Sequence, residues 1–94
     1  MEVIKIQSYS SGEFTLNGQP ASIADMRAIV GPTTDRDAVI WYYREAAELE
    51  PTNAQLEVLE IIMAARLPIS LSTKPDFSDY VGADGNSHPR TSEN

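Results

Sequence analysis

Three consecutive segments in the middle of the chain constrain its fold most. Ala38-Val39-Ile40-Trp41-Tyr42-Tyr43 is β-branched and aromatic without a charge, which predicts a strand buried on both faces and central in its sheet. Residues 54–66 then place Leu56, Leu59, Ile62 and Met63 on one helical stripe, widened by Val58, Ile61 and Ala65. That spacing leaves Gln55, Glu57, Glu60 and Arg66 to meet water. Thr52 and Gln55 form a capping box ahead of the helix, Pro68 stops it, and Ile69-Ser70-Leu71-Ser72 alternates as a strand. Strand, helix and strand in this order predict a right-handed crossover joining two parallel strands.

The first thirty residues add to that sheet. Residues 2–9 alternate, with Ile4 and Ile6 on one side and Lys5 and Gln7 on the other. Ser10-Ser11-Gly12 is a turn, and Phe14 and Leu16 point inward from a second short strand, giving a hairpin. Asn17-Gly18 favours positive φ and turns that strand sharply. Ser22 and Asp25 form another capping box, Ile23, Met26, Ile29 and Val30 follow at helical spacing, and Gly31-Pro32 ends the helix. Thr33 to Asp37 is a polar loop. The fold class expected is α+β: a two-layer sandwich in the order β-β-α-β-α-β plus a C-terminal arm. Its sheet is mixed and four-stranded, with both helices on one face.

The arm comes from Phe77, Tyr80 and Val81, apolar groups in a segment that otherwise reads as loop. Residues 75–82 are expected to fold back against the sheet near Trp41 or Tyr43. A single domain over 1–82 and a turn with a flexible polar tail over 83–94 follow. Asp84-Gly85 is a tight-turn signal that suits a small terminal hairpin. Truncation after Thr73 is expected to destabilise the domain, and truncation after Ser87 is not.

Fourteen acids against seven bases give a net charge of −7. That balance repels phosphate backbones and anionic membranes, so neither nucleic acid nor a membrane is an expected partner. No cysteine is present, which excludes disulfides, thiolate nucleophiles and zinc–thiolate sites. The longest apolar run, residues 61–65, is far short of the ~20 residues of a membrane span. Met1-Glu2 does not open a leader, and the cytoplasm is the location by default. His88 is the single histidine, and Asp76, Asp79 and Asp84 lack the spacing of a calcium loop. No metal, cofactor or catalytic set is expected.

Two constellations remain. The carboxyl ends of parallel strands open on the same side of a sheet, where ligands tend to bind. Tyr43, Arg44, Glu45, Ser72, Thr73, Lys74 and Asp76 gather there, suited either to an anionic ligand or to a salt-bridged rim that anchors the tail. A partner surface would use Trp41, on a sheet face that the helices leave bare, with Glu48, Glu50, Glu57 and Glu60 facing a basic protein. The same acids also suit a merely solvated helix face. The leading expectation is a non-enzymatic protein-interaction module, a homodimer or an acidic immunity or adaptor-type protein. The alternative is a domain binding a small anionic ligand, or an enzyme, at the strand ends.

Residues 14–73 also resemble the extramembrane domain of the ExbD/TolR family. The likeness lies in a strand ending Leu16-Asn17-Gly18-Gln19, a short helix of Ile23-Ala24-Asp25-Met26 type, a longer helix ending Ala64-Ala65-Arg66-Leu67-Pro68, and Ile69-Ser70-Leu71-Ser72-Thr73. It implies dimerisation and contacts with envelope partners. The family's ion coupling needs an acid in a membrane helix, which this sequence lacks, so that activity is not implied.

Overall fold

The computed structural model describes residues 2–31 and 37–90. It has seven strands and two helices: β1 (Glu2–Ser8), β2 (Phe14–Leu16), β3 (Gln19–Ala21), α1 (Ile23–Val30), β4 (Ala38–Arg44), α2 (Asn53–Ala64), β5 (Ile69–Ser72), β6 (Asp79–Val81) and β7 (Ser87–Pro89). The order in the main sheet is β3-β2-β1-β4-β5, and β6 pairs with β7 separately. Strand β4 lies parallel to both β1 and β5, and the β1-β2-β3 meander is antiparallel. The fold is the expected α+β sandwich, with a mixed sheet and β4 between parallel neighbours. Most of the loop expected over Thr33 to Asp37 lies outside the described residues.

The main sheet has five strands, not four. Asn17 and Gly18 have φ of 52° and 85°, the pair of positive values that a two-residue hairpin turn needs. Asn17 also binds β1, its Oδ1 accepting from Lys5 N–H at 2.9 Å. Beyond the turn, Gln19-Pro20-Ala21 pairs with β2. Proline argues against a strand in sequence, but here Pro20 sits on an edge. It faces Thr15 one step beyond the turn-closing pair Leu16 and Gln19. That is a non-hydrogen-bonded position, where the missing N–H costs nothing.

Both capping boxes form: Ser22 with Asp25, and Thr52 with Gln55. The core lies between the helices and one face of the sheet. Ile4, Ile6, Phe14, Leu16, Ile40 and Tyr42 meet Met26, Val30, Val58, Ile61 and Ile62. The stripe of α2 differs from the expected one. Gln55, Val58, Ile61 and Ile62 are buried, whereas Leu56 is 45% and Met63 69% exposed. A helix apolar around most of its circumference has no unique phase, so a polar contact can set it. Gln55 supplies that contact: its Oε1 caps Thr52 N–H at 2.9 Å, and its Nε2 donates to the buried Ser8 hydroxyl at 3.0 Å. Fixing Gln55 inward turns Leu56 and Met63 out.

The opposite sheet face is covered by the arm, as expected. Phe77 is buried, and its ring lies 6.1 Å from that of Trp41. Gln7 Nε2 donates to the Pro75 carbonyl at 2.6 Å. Phe77 adopts a φ of 58°, a left-handed backbone costing about 1–2 kcal/mol; burying its ring contributes about 1.5–3 kcal/mol and offsets that. Residues 83–90, expected as turn and polar tail, form the Asp84-Gly85 turn and strand β7. Residues 91–94 lie outside the described residues.

Candidate functional site

The carboxyl ends of β4 and β5 border a cleft of about 480 Å³. Tyr43, Arg44, Ser72 and Thr73 reach it from the strand ends, and Lys74, Glu45 and Asp76 do not line it. Its walls are apolar: Leu59 from α2, Leu71 from β5, Val81 from β6, and Ala46 and Ala47 from the β4–α2 loop, with Glu48 also lining it.

Most polar groups gathered there serve the protein itself. Arg44 donates from Nη1 to the Leu49 carbonyl at 2.9 Å and from Nη2 to the Ala47 carbonyl at 2.6 Å. These bonds hold the loop that begins at Ala46, whose φ of 55° starts the turn. Glu45 Oε1 accepts from Ser10 N–H at 2.9 Å and Ser10 Oγ at 2.7 Å. Those bonds, the amide first, hold its carboxyl below the usual range. Ser72 donates to the Asp79 carbonyl. Asp76 Oδ1 accepts from Ser78 N–H at 3.0 Å in an exposed local turn, and the Ser78 bonds lower its pKa. Burial raises the pKa of Tyr43, with Glu45 and Tyr9 adding to it; the Tyr9 ring stands edge-on to it at 6.1 Å. An anionic ligand would therefore find Arg44 already bonded to two carbonyls. The tail is anchored there by hydrogen bonds in place of the expected salt bridges, with Asp79 and Arg90 at the centre.

Neither of those residues was among the expected site residues. Asp79 is 2% exposed. It accepts from Thr73 N–H at 3.0 Å, Thr73 Oγ1 at 2.5 Å and Ser87 Oγ at 2.6 Å. Arg90 donates to the Phe77 carbonyl, the Ser70 and Ser72 hydroxyls and the Asp79 carbonyl at 2.8–3.1 Å, with its guanidinium 4.0 Å from the Trp41 ring centre. Their eleven-residue separation matches no recognition motif. The one available signal is an isolated arginine in an otherwise polar tail.

The partner-surface residues also separate. Trp41 carries the arm, between Arg90 and Phe77. Glu57 pairs with Arg27 of α1 at 2.7 Å. Glu48, Glu50 and Glu60 are exposed. His88 pairs with Asp84 at 3.0 Å and stacks on Tyr80.

No family model and no curated protein matches this chain. Among the described residues no group of three or more histidines and carboxylates is placed to hold a metal, and no helix is long and apolar enough to cross a membrane. A second cleft, of about 590 Å³, lies between the β1–β2 turn and the start of α1. Two of its polar residues, Ser22 and Asp25, are already spent on the capping box.

Tyr42 is the exception to this internal pairing. Its hydroxyl is buried without a hydrogen-bond partner among the described residues. Burial raises its pKa; the Ser8 hydroxyl, near enough to interact but outside hydrogen-bond geometry and already bonded to Gln55, and the Arg44 charge pull more weakly the other way. Removing an unsatisfied hydroxyl abolishes a desolvation cost, so Tyr42→Phe is expected to leave stability unchanged or raise it by up to about 1 kcal/mol. A urea titration checks this. A loss beyond about 1 kcal/mol would mean the hydroxyl bonds in solution.

Proposed function

We infer that this domain is a protein-interaction module that works through apolar residues beside the edge strand β5. The observation behind this reading is the phase of α2. Leu56 and Met63 lie at helical spacing with Leu59, and Leu59 meets Leu71 across the cleft. Ile69 shares a face of β5 with Leu71, and the two are 42% and 47% exposed. Leu56, Met63, Ile69 and Leu71 keep 42–69% of their surface exposed, and exposed apolar side chains grouped in this way mark interaction surfaces. Glu48 and Glu60 beside them, with a net charge of −7, favour a basic partner.

The likeness to ExbD/TolR extramembrane domains is consistent with this reading through element order and through Leu16-Asn17-Gly18-Gln19. A homodimer belongs to the same proposal. The small-ligand reading retains the cleft, now as an apolar pocket with a carboxylate in its lining.

A photo-crosslinking residue at Met63, compared with one at Asn17 on the far hairpin, tests the interaction reading. Specific adducts at Met63 that fade with added salt are expected, and none at Asn17. Equal labelling at both positions, or none at either, refutes it.

A further inference from the structure

We propose that β5 receives an extended segment of another protein as an added strand, with its apolar side chains in the groove between β5 and α2. This rests on the interaction reading and specifies its partner. The backbone supplies the first reason. Ile40 N–H donates to the Pro68 carbonyl at 2.9 Å, which fixes the phase of the parallel ladder. In that phase Ser70 and Ser72 turn their N–H and C=O groups to β4, and Ile69 and Leu71 turn theirs to the outer edge. No residue of the described chain bonds those outward groups. Although β6 packs beside the Ser72 end of the strand, a row of unpaired edge groups of this kind is a template for an incoming strand.

Side chains supply the second reason. Ile69 and Leu71 project on the same face as α2, so alternate residues of an added strand would lie over the cleft walls Leu59, Leu71 and Val81. The intervening residues would point to the other face, where Arg90 bridges Ser70 and Ser72, so they are small and uncharged or acidic. Charge supplies the third. Glu48 lines the cleft, and the only cation lining it among the described residues, Arg44, is bonded to two carbonyls. A lysine or arginine at the end of the segment nearest Glu48 is therefore favoured. A second copy of this chain would bring another seven negative charges, which weighs against self-association here.

The test uses the full chain, isotopically labelled, and a synthetic peptide alternating valine with threonine and ending in lysines. A control peptide ends in glutamates. The lysine peptide is expected to slow hydrogen exchange at the Ile69 and Leu71 amides by about tenfold or more and to shift the amides of residues 46–48; the control does neither. Leu71→Lys is expected to weaken binding by about tenfold or more, with unchanged melting temperature because the side chain is half exposed. Glu48→Gln is expected to flatten the salt dependence. Shifts confined to other surfaces overturn strand addition, as does protection of Ile69 that rises with protein concentration without peptide. Adducts at Met63 with Ile69 still exchanging freely overturn the added strand alone. Protection of Ile69 without adducts at Met63 supports the added strand and removes the α2 strip from the interface.

Discussion

Ending the chain after Thr73 is expected to lower the melting temperature by about 15–30 °C, because a loss of about 4 kcal/mol shifts a domain of this size by roughly 4–8 °C per kcal/mol. Burial of Phe77 contributes about 1.5–3 kcal/mol of that loss. The remainder comes from Arg90, whose four hydrogen bonds are worth about 1 kcal/mol each before non-additivity, and whose guanidinium lies over Trp41. Removing the arm also leaves Trp41, Tyr43, Ser70 and Ser72 on an open sheet face. Differential scanning calorimetry of the truncated and full chains measures the difference. Truncation after Ser87, expected from sequence to be harmless, removes Arg90 and leaves the Ser72 and Asp79 groups with fewer partners. It is now expected to cost about 2 kcal/mol, in the range for losing several hydrogen bonds from a charged group. If the Thr73 truncation melts with the full chain, the arm does not hold the domain together.

Period and punctuation were enough to find the arm, the crossover unit and both helix starts. Ser22, Thr52, Pro68 and the charge-free run 38–43 each act locally, and local chemistry is readable along the chain. What escaped depends on residues distant in sequence. The phase of α2 is set by Gln55 meeting Ser8, forty-seven positions away, and no helical period could show that contact. Strand β3 escaped because Pro20 is admissible only on an edge, and edge position is a property of the finished sheet. The candidate site was legible as a location, and the internal bonding of its groups was not. The strand ends do border a cleft, but Arg44 is bonded to its own loop, and the buried acid is Asp79, not Glu45 or Asp76. Burial decides which carboxylate matters, and burial is tertiary.

Asp79 carries the other large effect. Replacing it by alanine leaves the Thr73 amide and the Thr73 and Ser87 hydroxyls without their acceptor, and the loss is expected to be about 2–3 kcal/mol, in the range for hydrogen bonds to a charged group. Its titration gives a sharper check. Burial pushes the carboxyl up, but bonds from the Ser87 and Thr73 side chains and the Thr73 and Lys74 amides outweigh it and hold its pKa at about 2. An unfolded aspartate titrates near 3.9, and the gap corresponds to roughly 2 kcal/mol of stability. Because the folded value is the lower one, that stabilisation is fully present above pH ~4 and is lost as pH falls towards 2. Glu45, Asp76 and Asp84 are also lowered, so the acid limb of the wild type alone does not isolate Asp79. Asp79→Asn does, because it keeps the shape and cannot titrate. The stability gap between wild type and this variant, from urea titrations at stepped pH, is expected to be constant from pH 7 to 5 and to shrink between pH 4 and 2. A gap that stays constant down to pH 2 would mean that the ionised carboxylate is not what fastens the hairpin to β5.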